Sequence, residues 1–286
     1  AYAVPLGTDI VLEDARLPGA CVGAEVCEDM WVPCPPAARA VAAGATLVCN
    51  LSASSVVAGK AASCRRLACA TSERGLCAYV YVAAGPGESS TDVAFDADAF
   101  VAENGALLAE STRFARSPQL VTTDIDVDAL LHERRVCSTF GDCAAELLGG
   151  EGCIPMRRVP VELAWAPGAP MRSIPRHPFV PADPAEFATL AWETFEIQKN
   201  ALVTRMVAVA GGPGSGDGNA KNSKGGKESK DGKDHDSSKT EATTETKTTP
   251  YPRLVLGLSG GLDSTLAALV AAAALDVLGA PRATLL

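Results

Sequence analysis

The chain has 286 residues, 47% of them hydrophobic, which is enough to bury a core and allows one large domain or two ordinary ones. Its net charge of −9 and its pI of about 4.9 argue against a broad nucleic-acid-binding face and against binding to an anionic membrane surface. No run approaches the roughly 18 apolar residues that a bilayer-spanning helix needs, and the first ten residues do not have the pattern of a secretory leader. We therefore expect neither a nucleic-acid partner nor a membrane partner.

The ten cysteines do not have the spacing of a zinc site, because none forms a CxxC pair and the three histidines are scattered. They could form five disulfides. Several, however, lie inside strand-like or helix-like apolar runs, where cysteine behaves as a small buried hydrophobic residue. We expect a reducing, cytoplasmic location in which one or two thiols have a chemical role.

Residues 1 to about 131 alternate short apolar runs with turn residues. The runs at 46–54 and 78–85 are rich in Val and Tyr and predict buried strands. Residues 36–43 and the Ala-, Arg- and Leu-rich stretch 61–74 predict helices. Strands and helices in this order predict a layered α/β domain.

The next segments differ in regularity. Residues 132–182 are less regular and Pro-rich, which is typical of an arm or connector, whereas 183–210 predicts a long helix capped by Asp183. Its apolar stripe comprises positions 187, 190, 191, 195, 202, 203, 206 and 207. Residues 211–249 contain no Val, Ile, Leu, Met or aromatic residue, and their lysines and acidic residues are equal in number, so we predict a disordered surface insertion.

A glycine-rich loop follows the predicted strand 253–258 and precedes a predicted helix at 265–279. Its residues are Gly257, Leu258, Ser259, Gly260, Gly261, Leu262, Asp263 and Ser264. Adjacent glycines allow positive φ and close approach of a ligand, and backbone N–H groups before a helix favour an anion. Asp263 does not suit a bare phosphate, so it either holds a metal ion or caps the helix. The loop resembles the SGGxDS pyrophosphate-binding loop of the N-type ATP pyrophosphatases, and the rest of that sheet is expected beyond residue 286.

A cysteine at the end of an apolar run is the second chemical signal, in the segment GAEVCEDMW at 23–31. A nucleophile at a strand end projects into a pocket, and the N–H of Glu28 is then placed to stabilise the oxyanion of an attacked amide. These local residues leave two interpretations open for Cys27, a catalytic thiol and a buried structural cysteine.

Longer segments decide between them by resemblance. EVCEDMWVPCPP, AGATLVCNLSAS, YVYVAAGPGESSTD, ENGALLAESTRF, HPFVPADP and FEIQ together are similar to the glutamine-dependent NAD synthetases. The resemblance covers nearly the whole chain except 211–249, and two unrelated chemical motifs occur in the family's order. It implies part of a nitrilase-like α-β-β-α sandwich over 1–178, followed by the start of a doubly wound parallel α/β domain over 179–286.

The resemblance also implies roles for particular residues. Cys27 matches the nucleophile that releases ammonia from L-glutamine. Ser54 and Lys60 match positions that hold glutamine, and Lys60 is the expected partner of the glutamine α-carboxylate. The loop 257–264 matches the ATP site, where ATP with Mg²⁺ activates deamido-NAD as an adenylate and ammonia then displaces AMP. Asp263 is the candidate Mg²⁺ ligand, and the family implies a homo-oligomer.

The sequence departs from the family in several places. The family's general-base glutamate and lysine precede residue 1, and Glu13 is not assigned that role, so we expect no glutaminase activity from the chain alone. Most of the ATP-binding sheet and the deamido-NAD site are expected after residue 286. Ser55 replaces a common Asn, and Ala97-Asp98 replaces a common Gly-His on a predicted turn. The alternatives are a different amidotransferase with the same ATP loop and a non-catalytic fragment.

Overall fold

The structure is a computed structural model that describes residues 7–150, 155–162, 168–210 and 251–286. It divides into two compact units, Ala1–Ile174 and Pro175–Leu286, which are described separately below. The predicted domain limits at 178 and 179 stay predictions. The predicted insertion at 211–249 lies outside the described residues.

The first unit is built on a seven-stranded mixed sheet with the strand order β6-β5-β4-β3-β2-β1-β7. The strands are β1 (Ile10–Asp14), β2 (Cys21–Val26), β3 (Leu47–Ser52), β4 (Ala78–Ala83), β5 (Ala99–Glu103), β6 (Ala106–Glu110) and β7 (Arg157–Val161). The central strands β2, β3 and β4 are parallel, β1 pairs with β7 in parallel, and the other pairs are antiparallel. With the helices described next, this sheet confirms the predicted α/β class.

Two helices, α1 (Pro36–Ala42) and α2 (Lys60–Gly75), cover one face of the sheet. Both connect neighbouring parallel strands, as a crossover between parallel strands requires. The buried core between helices and sheet is Met30, Ala37, Val41, Val48, Cys64, Ala68, Cys77, Tyr79, Tyr81 and Phe100. The predicted helices and the predicted strands β3 and β4 are thereby confirmed.

The opposite face of the sheet is apolar and exposed. Val26, Leu51 and Val82 lie side by side on β2, β3 and β4 and are 59%, 60% and 44% exposed. In an α-β-β-α sandwich, a face of this kind packs against a second sheet. The described residues contain no second sheet, so that part of the sandwich stays a prediction.

The segment after residue 126 is more regular than the sequence predicted. It forms α3 (Val127–Val136), α4 (Ser138–Gly149) and the edge strand β7. Arg134 anchors α3 to the sheet domain, because its guanidinium donates to the carbonyls of Ala45 at 2.6 Å, Gly75 at 3.1 Å and Leu76 at 3.1 Å.

The second unit contains α5 (Pro184–Val209) and α6 (Leu262–Val277). As predicted, Asp183 caps α5, accepting from the Ala185 N–H at 3.1 Å. Only the C-terminal half of the predicted stripe is packed: Met206 is buried with Leu275, whereas Phe187 is exposed.

The predicted strand at 253–258 is reduced to a single parallel bridge between Leu254 and Leu285. The Leu254 N–H donates to the Thr284 carbonyl at 3.1 Å, and the Leu286 N–H donates to the Leu254 carbonyl at 2.8 Å. Two extended segments flanking α6 therefore begin a parallel pair. The doubly wound domain stays a prediction.

Candidate active site

Cys27 occupies a strained turn at the end of β2. Its φ is +55°, in the left-handed region that residues other than glycine seldom adopt, and it begins a short 3₁₀ turn, Cys27–Trp31. The preceding Val26 N–H donates to Asp29 Oδ2 at 2.8 Å, which closes the turn. Strain of this kind persists only where the surroundings hold it, and it occurs often at functional sites.

The topology brings the predicted glutaminase residues to one edge of the sheet. Val26, at the end of β2, pairs with Leu51 of β3, and Leu51 pairs with Val82 of β4. Because these strands are parallel, their carboxyl ends meet at one edge, where ligands commonly bind in α/β folds. Cys27 and the Ser54 segment both follow strands at this edge.

The structure places Ser54 and Lys60 in direct contact. Lys60 Nζ donates to Ser54 Oγ and, at 3.1 Å, to the carbonyl of Ser55. Lys60 is the first residue of α2, and Gly59 before it has a φ of +83°, a conformation that suits glycine. Among the described residues, Lys60 has no carboxylate within ion-pair distance. Its charge is therefore available to an anionic group.

Two buried carboxylates, neither of them predicted as a site residue, line the same cleft as Lys60. Asp98 accepts a bidentate pair of bonds from Arg65, both at 2.9 Å, and Asp96 accepts from Arg113 at 2.7 Å. Burial raises the pKa of Asp98, and the Arg65 guanidinium opposes this rise. The cleft holds about 20 Å³, the space of one water, so a substrate must open it to enter.

The departure at Ala97-Asp98 has structural consequences that the sequence did not indicate. Ala97 adopts a φ of +55°, where the common glycine of the family would be unstrained. Asp98 is 3% exposed and forms the ion pair with Arg65. Asp98 therefore belongs to the wall of the cleft and is not on a free surface turn. A clue in the sequence was the pair of carboxylates directly before the apolar run of β5.

A buried hydrogen-bond network lies below Cys27, and the sequence did not single it out either. The Glu25 carboxylate accepts from the Ala37 N–H at 3.0 Å, from Asn50 Nδ2 at 3.2 Å and from the Tyr79 hydroxyl. Asn50 Nδ2 also lies 3.4 Å from the Cys27 carbonyl. Burial, followed by the bond to Glu25, raises the pKa of the Tyr79 phenol far above its ordinary value, so it remains a donor.

The glycine-rich loop forms an exposed N-terminus for α6. Gly260 has a φ of +84°, whereas Gly261, the N-cap, has a φ of −80°, so only one of the two glycines uses the left-handed region. Ser264 Oγ donates to the Gly261 carbonyl at 3.0 Å and lies 3.3 Å from Ser259 Oγ. A Cβ added at Gly260 would meet no atom within 4 Å, so the space before the helix is open. Asp263 lies in the first turn of α6.

The described parts of the chain contain no group of three or more His, Cys, Asp or Glu side chains that could hold a metal ion. None of their helices combines the length and the hydropathy needed to cross a bilayer. The nine described cysteines are all free thiols.

Sequence comparison links this geometry to known proteins. Over 285 residues the chain is 38% identical to the glutamine-dependent NAD(+) synthetase of Mycobacterium tuberculosis, a match covering 99% of this chain and 36% of that protein. The enzyme of the same name from Mycobacterium leprae is 37% identical over 284 residues, with the same coverage. The Rattus norvegicus enzyme is 31% identical over 128 residues, 44% of this chain and 17% of that protein.

Over 99% of its length, the chain is therefore similar to glutamine-dependent NAD(+) synthetases, and it spans 36% of the length of these mycobacterial relatives. No protein-family profile matches the chain. The predicted roles of Cys27, Ser54, Lys60 and the loop 257–264 stay predictions.

Solved structures show weaker similarity. A glutamine-dependent NAD(+) synthetase from Cytophaga hutchinsonii matches with a TM-score of 0.33 and 29% identity, over 40% of this chain and 17% of that one. A carbon-nitrogen hydrolase from Helicobacter pylori matches with a TM-score of 0.37 and 16% identity, over 44% of this chain and 46% of that one. The α/β class of this chain rests on its own sheet and helices.

Proposed function

We propose that the protein makes NAD from deamido-NAD, ATP and L-glutamine, and that this chain supplies the glutaminase nucleophile and the ATP-binding loop. The observation that carries the proposal is the strained Cys27 at the carboxyl edge of parallel strands, in a chain 38% identical to glutamine-dependent NAD(+) synthetases over 285 residues. The names of these relatives favour NAD synthesis over a different amidotransferase with the same ATP loop.

The proposed glutaminase step is acyl transfer through a thioester. The Cys27 sulfur attacks the side-chain amide carbon of glutamine, and the oxyanion is stabilised by donors that include the Glu28 N–H. The carbon–nitrogen bond then breaks, ammonia leaves with a transferred proton, and water hydrolyses the thioester to give glutamate.

Ser54 and Lys60 are proposed to hold the substrate for this step. The ammonium of Lys60 has no carboxylate partner among the described residues, so it suits the α-carboxylate of glutamine. Lys60 Nζ then donates to the ligand as well as to its present acceptors, Ser54 Oγ and the Ser55 carbonyl. No residue of this chain is assigned the role of the family's general-base glutamate or of its catalytic lysine.

The proposed synthetase step uses the loop before α6. The N–H groups and hydroxyls of Ser259 and Ser264 suit the phosphate oxygens of ATP, because the α6 N-terminus favours negative charge. A single carboxylate together with phosphate oxygens is a common Mg²⁺ environment, and Asp263 fits it. The carboxylate of deamido-NAD attacks the α-phosphorus, pyrophosphate leaves, and ammonia displaces AMP from the adenylate. Cytoplasmic location and homo-oligomerisation remain part of the proposal.

The test is a comparison of two nitrogen sources in the full-length protein. Cys27→Ala should abolish NAD formation with glutamine and leave the rate with ammonium chloride unchanged. Cys34→Ala, which replaces an exposed thiol seven residues away, is the control and should change neither rate. Loss of both activities in Cys27→Ala, or retention of both, contradicts the role proposed for Cys27. A protein that makes no NAD from either source would favour the non-catalytic alternative.

A further inference from the structure

Glu25 is a carboxylate in a position where packing alone would favour an apolar side chain. It lies two residues before Cys27 on the helix-covered face of β2 and is 3% exposed. An ionised carboxylate in such a place is costly unless hydrogen bonds replace its water. Parallel strands with a covered face are normally almost continuously apolar. The exception therefore needs an explanation, which its contacts supply.

Three donors from three different elements satisfy this carboxylate. The Ala37 N–H in the first turn of α1 donates to Oε2 at 3.0 Å, and Asn50 Nδ2 on β3 donates to Oε1 at 3.2 Å. The Tyr79 hydroxyl on β4 donates to the same Oε1. Glu25, on β2, therefore joins α1 to β3 and β4.

Asn50 carries this connection to the backbone of Cys27. Its Nδ2 donates to both Glu25 Oε1 and the Cys27 carbonyl, the latter at 3.4 Å. Asn50 is 1% exposed, and its Oδ1 is buried without a partner. Turning the amide over would place this oxygen against the carboxylate of Glu25 and the carbonyl of Cys27, both acceptors. The orientation of Asn50 is therefore dictated by Glu25.

We propose that Glu25 is a positioning residue that acts through Asn50 to hold Cys27 in its left-handed conformation at the strand end. The inference rests on the proposed function, because it assumes that the Cys27 thiol attacks glutamine. A left-handed φ at a non-glycine residue needs external support, and the only side chain hydrogen-bonded to the Cys27 carbonyl among the described residues is Asn50. Small displacements of a nucleophile have large effects on rate, which makes this support functionally important.

The test measures kcat and KM for glutamine in the full-length protein. Ammonia-dependent NAD formation reports the synthetase step, and hydrogen–deuterium exchange of peptides from β2 to β4 reports folding around Cys27. Glu25→Leu should lower the glutamine-dependent kcat about 100-fold, because a misplacement of about 1 Å costs roughly that factor. KM for glutamine should stay within about threefold, because substrate binding is not the affected step. Glu25→Gln keeps one side-chain oxygen that can accept from Asn50 and Tyr79 but turns its NH₂ toward the Ala37 N–H, so it should lower the glutamine-dependent kcat only about tenfold.

Glu103→Gln is the matched control. Glu103 is also buried, at 7% exposure, and accepts from Arg172 at 2.6 Å, but it pairs with Ala78 at the opposite edge of the sheet. It should leave the glutamine-dependent kcat unchanged. Since both positions bury a hydrogen-bonded carboxylate, a difference between them separates positioning of Cys27 from general loss of stability.

Each outcome decides the matter. If Glu25→Leu loses exchange protection over β2 to β4, it has misfolded. The decision then falls to Glu25→Gln, which replaces one carboxylate oxygen by an NH₂ group, and Tyr79→Phe, which removes one donor. A wild-type kcat in both of these folded variants overturns the positioning role, while loss of glutamine use in Cys27→Ala leaves the proposed function intact. If Cys27→Ala keeps glutamine use, the proposed function and the positioning role are both wrong.

Discussion

The left-handed backbone of Cys27 predicts an unusual order of stability between two replacements. A residue other than glycine in this region costs about 1–2 kcal/mol. Glycine removes that strain but loses about 0.5–1 kcal/mol through its greater freedom in the unfolded chain. Both Cys27→Gly and Cys27→Ala remove the thiol. We therefore expect the glycine variant to be more stable than the alanine variant by roughly 0.5–1 kcal/mol.

The same comparison at Ala24 provides the control. Ala24 lies three residues earlier in the extended backbone of β2 and is exposed, so Ala24→Gly should lower the free energy of unfolding by about 0.5–1 kcal/mol. Because the chain forms two units, the assay is urea unfolding read by hydrogen–deuterium exchange of peptides from β2 to β4. If Cys27→Ala is the more stable variant by the margin seen at Ala24, then Cys27 is not strained and the support argued for Asn50 has no purpose.

Three further predictions concern other contacts. Arg65→Met should lower the free energy of unfolding by about 2 kcal/mol at pH 7, because it leaves Asp98 buried without its cation. The loss should shrink as the pH falls toward 4, since a carboxyl with a raised folded pKa binds its proton earlier in the folded than in the unfolded state; a loss that grows on acidification contradicts this. Arg134→Met should cost about 2–3 kcal/mol in urea unfolding, because three backbone carbonyls lose their donor, and Arg134→Lys should not restore it fully. Gly260→Ala should raise KM for ATP about tenfold with either nitrogen source, because it strains a φ of +84°, and an effect as large in Gly261→Ala would contradict that cause.

Much of the central architecture could be predicted because its signals are local. The apolar runs of β3 and β4 and the helical periodicity of α1, α2 and α6 are properties of short windows. The Asp183–Pro184 start of α5 is equally local. Ser54 and Lys60 could be paired from resemblance alone, and the structure brings them into contact.

Elements that depend on distant partners could not be predicted in the same way. Strand β7 contains Pro160 and two arginines, and it is a strand because it pairs with β1, about 145 residues earlier in the chain. The opposite error occurred at 253–258, where an apolar run predicted a strand but only Leu254 forms a bridge. In both cases pairing, which the local composition does not specify, decides the secondary structure.

The network beneath Cys27 combines both kinds of information. Glu25 and Asn50 were each visible as a polar exception in an apolar strand, and either alone would suggest a solvent-facing position. The parallel register pairs them directly across β2 and β3, which turns two costly exceptions into donor and acceptor. That register depends on two strands about 25 residues apart and on α1, which covers them. The role of a polar residue near the end of an apolar strand therefore depends on which residue the neighbouring strand places beside it. Here the register places Asn50 beside Glu25, and Asn50 then donates to the carbonyl of the proposed nucleophile.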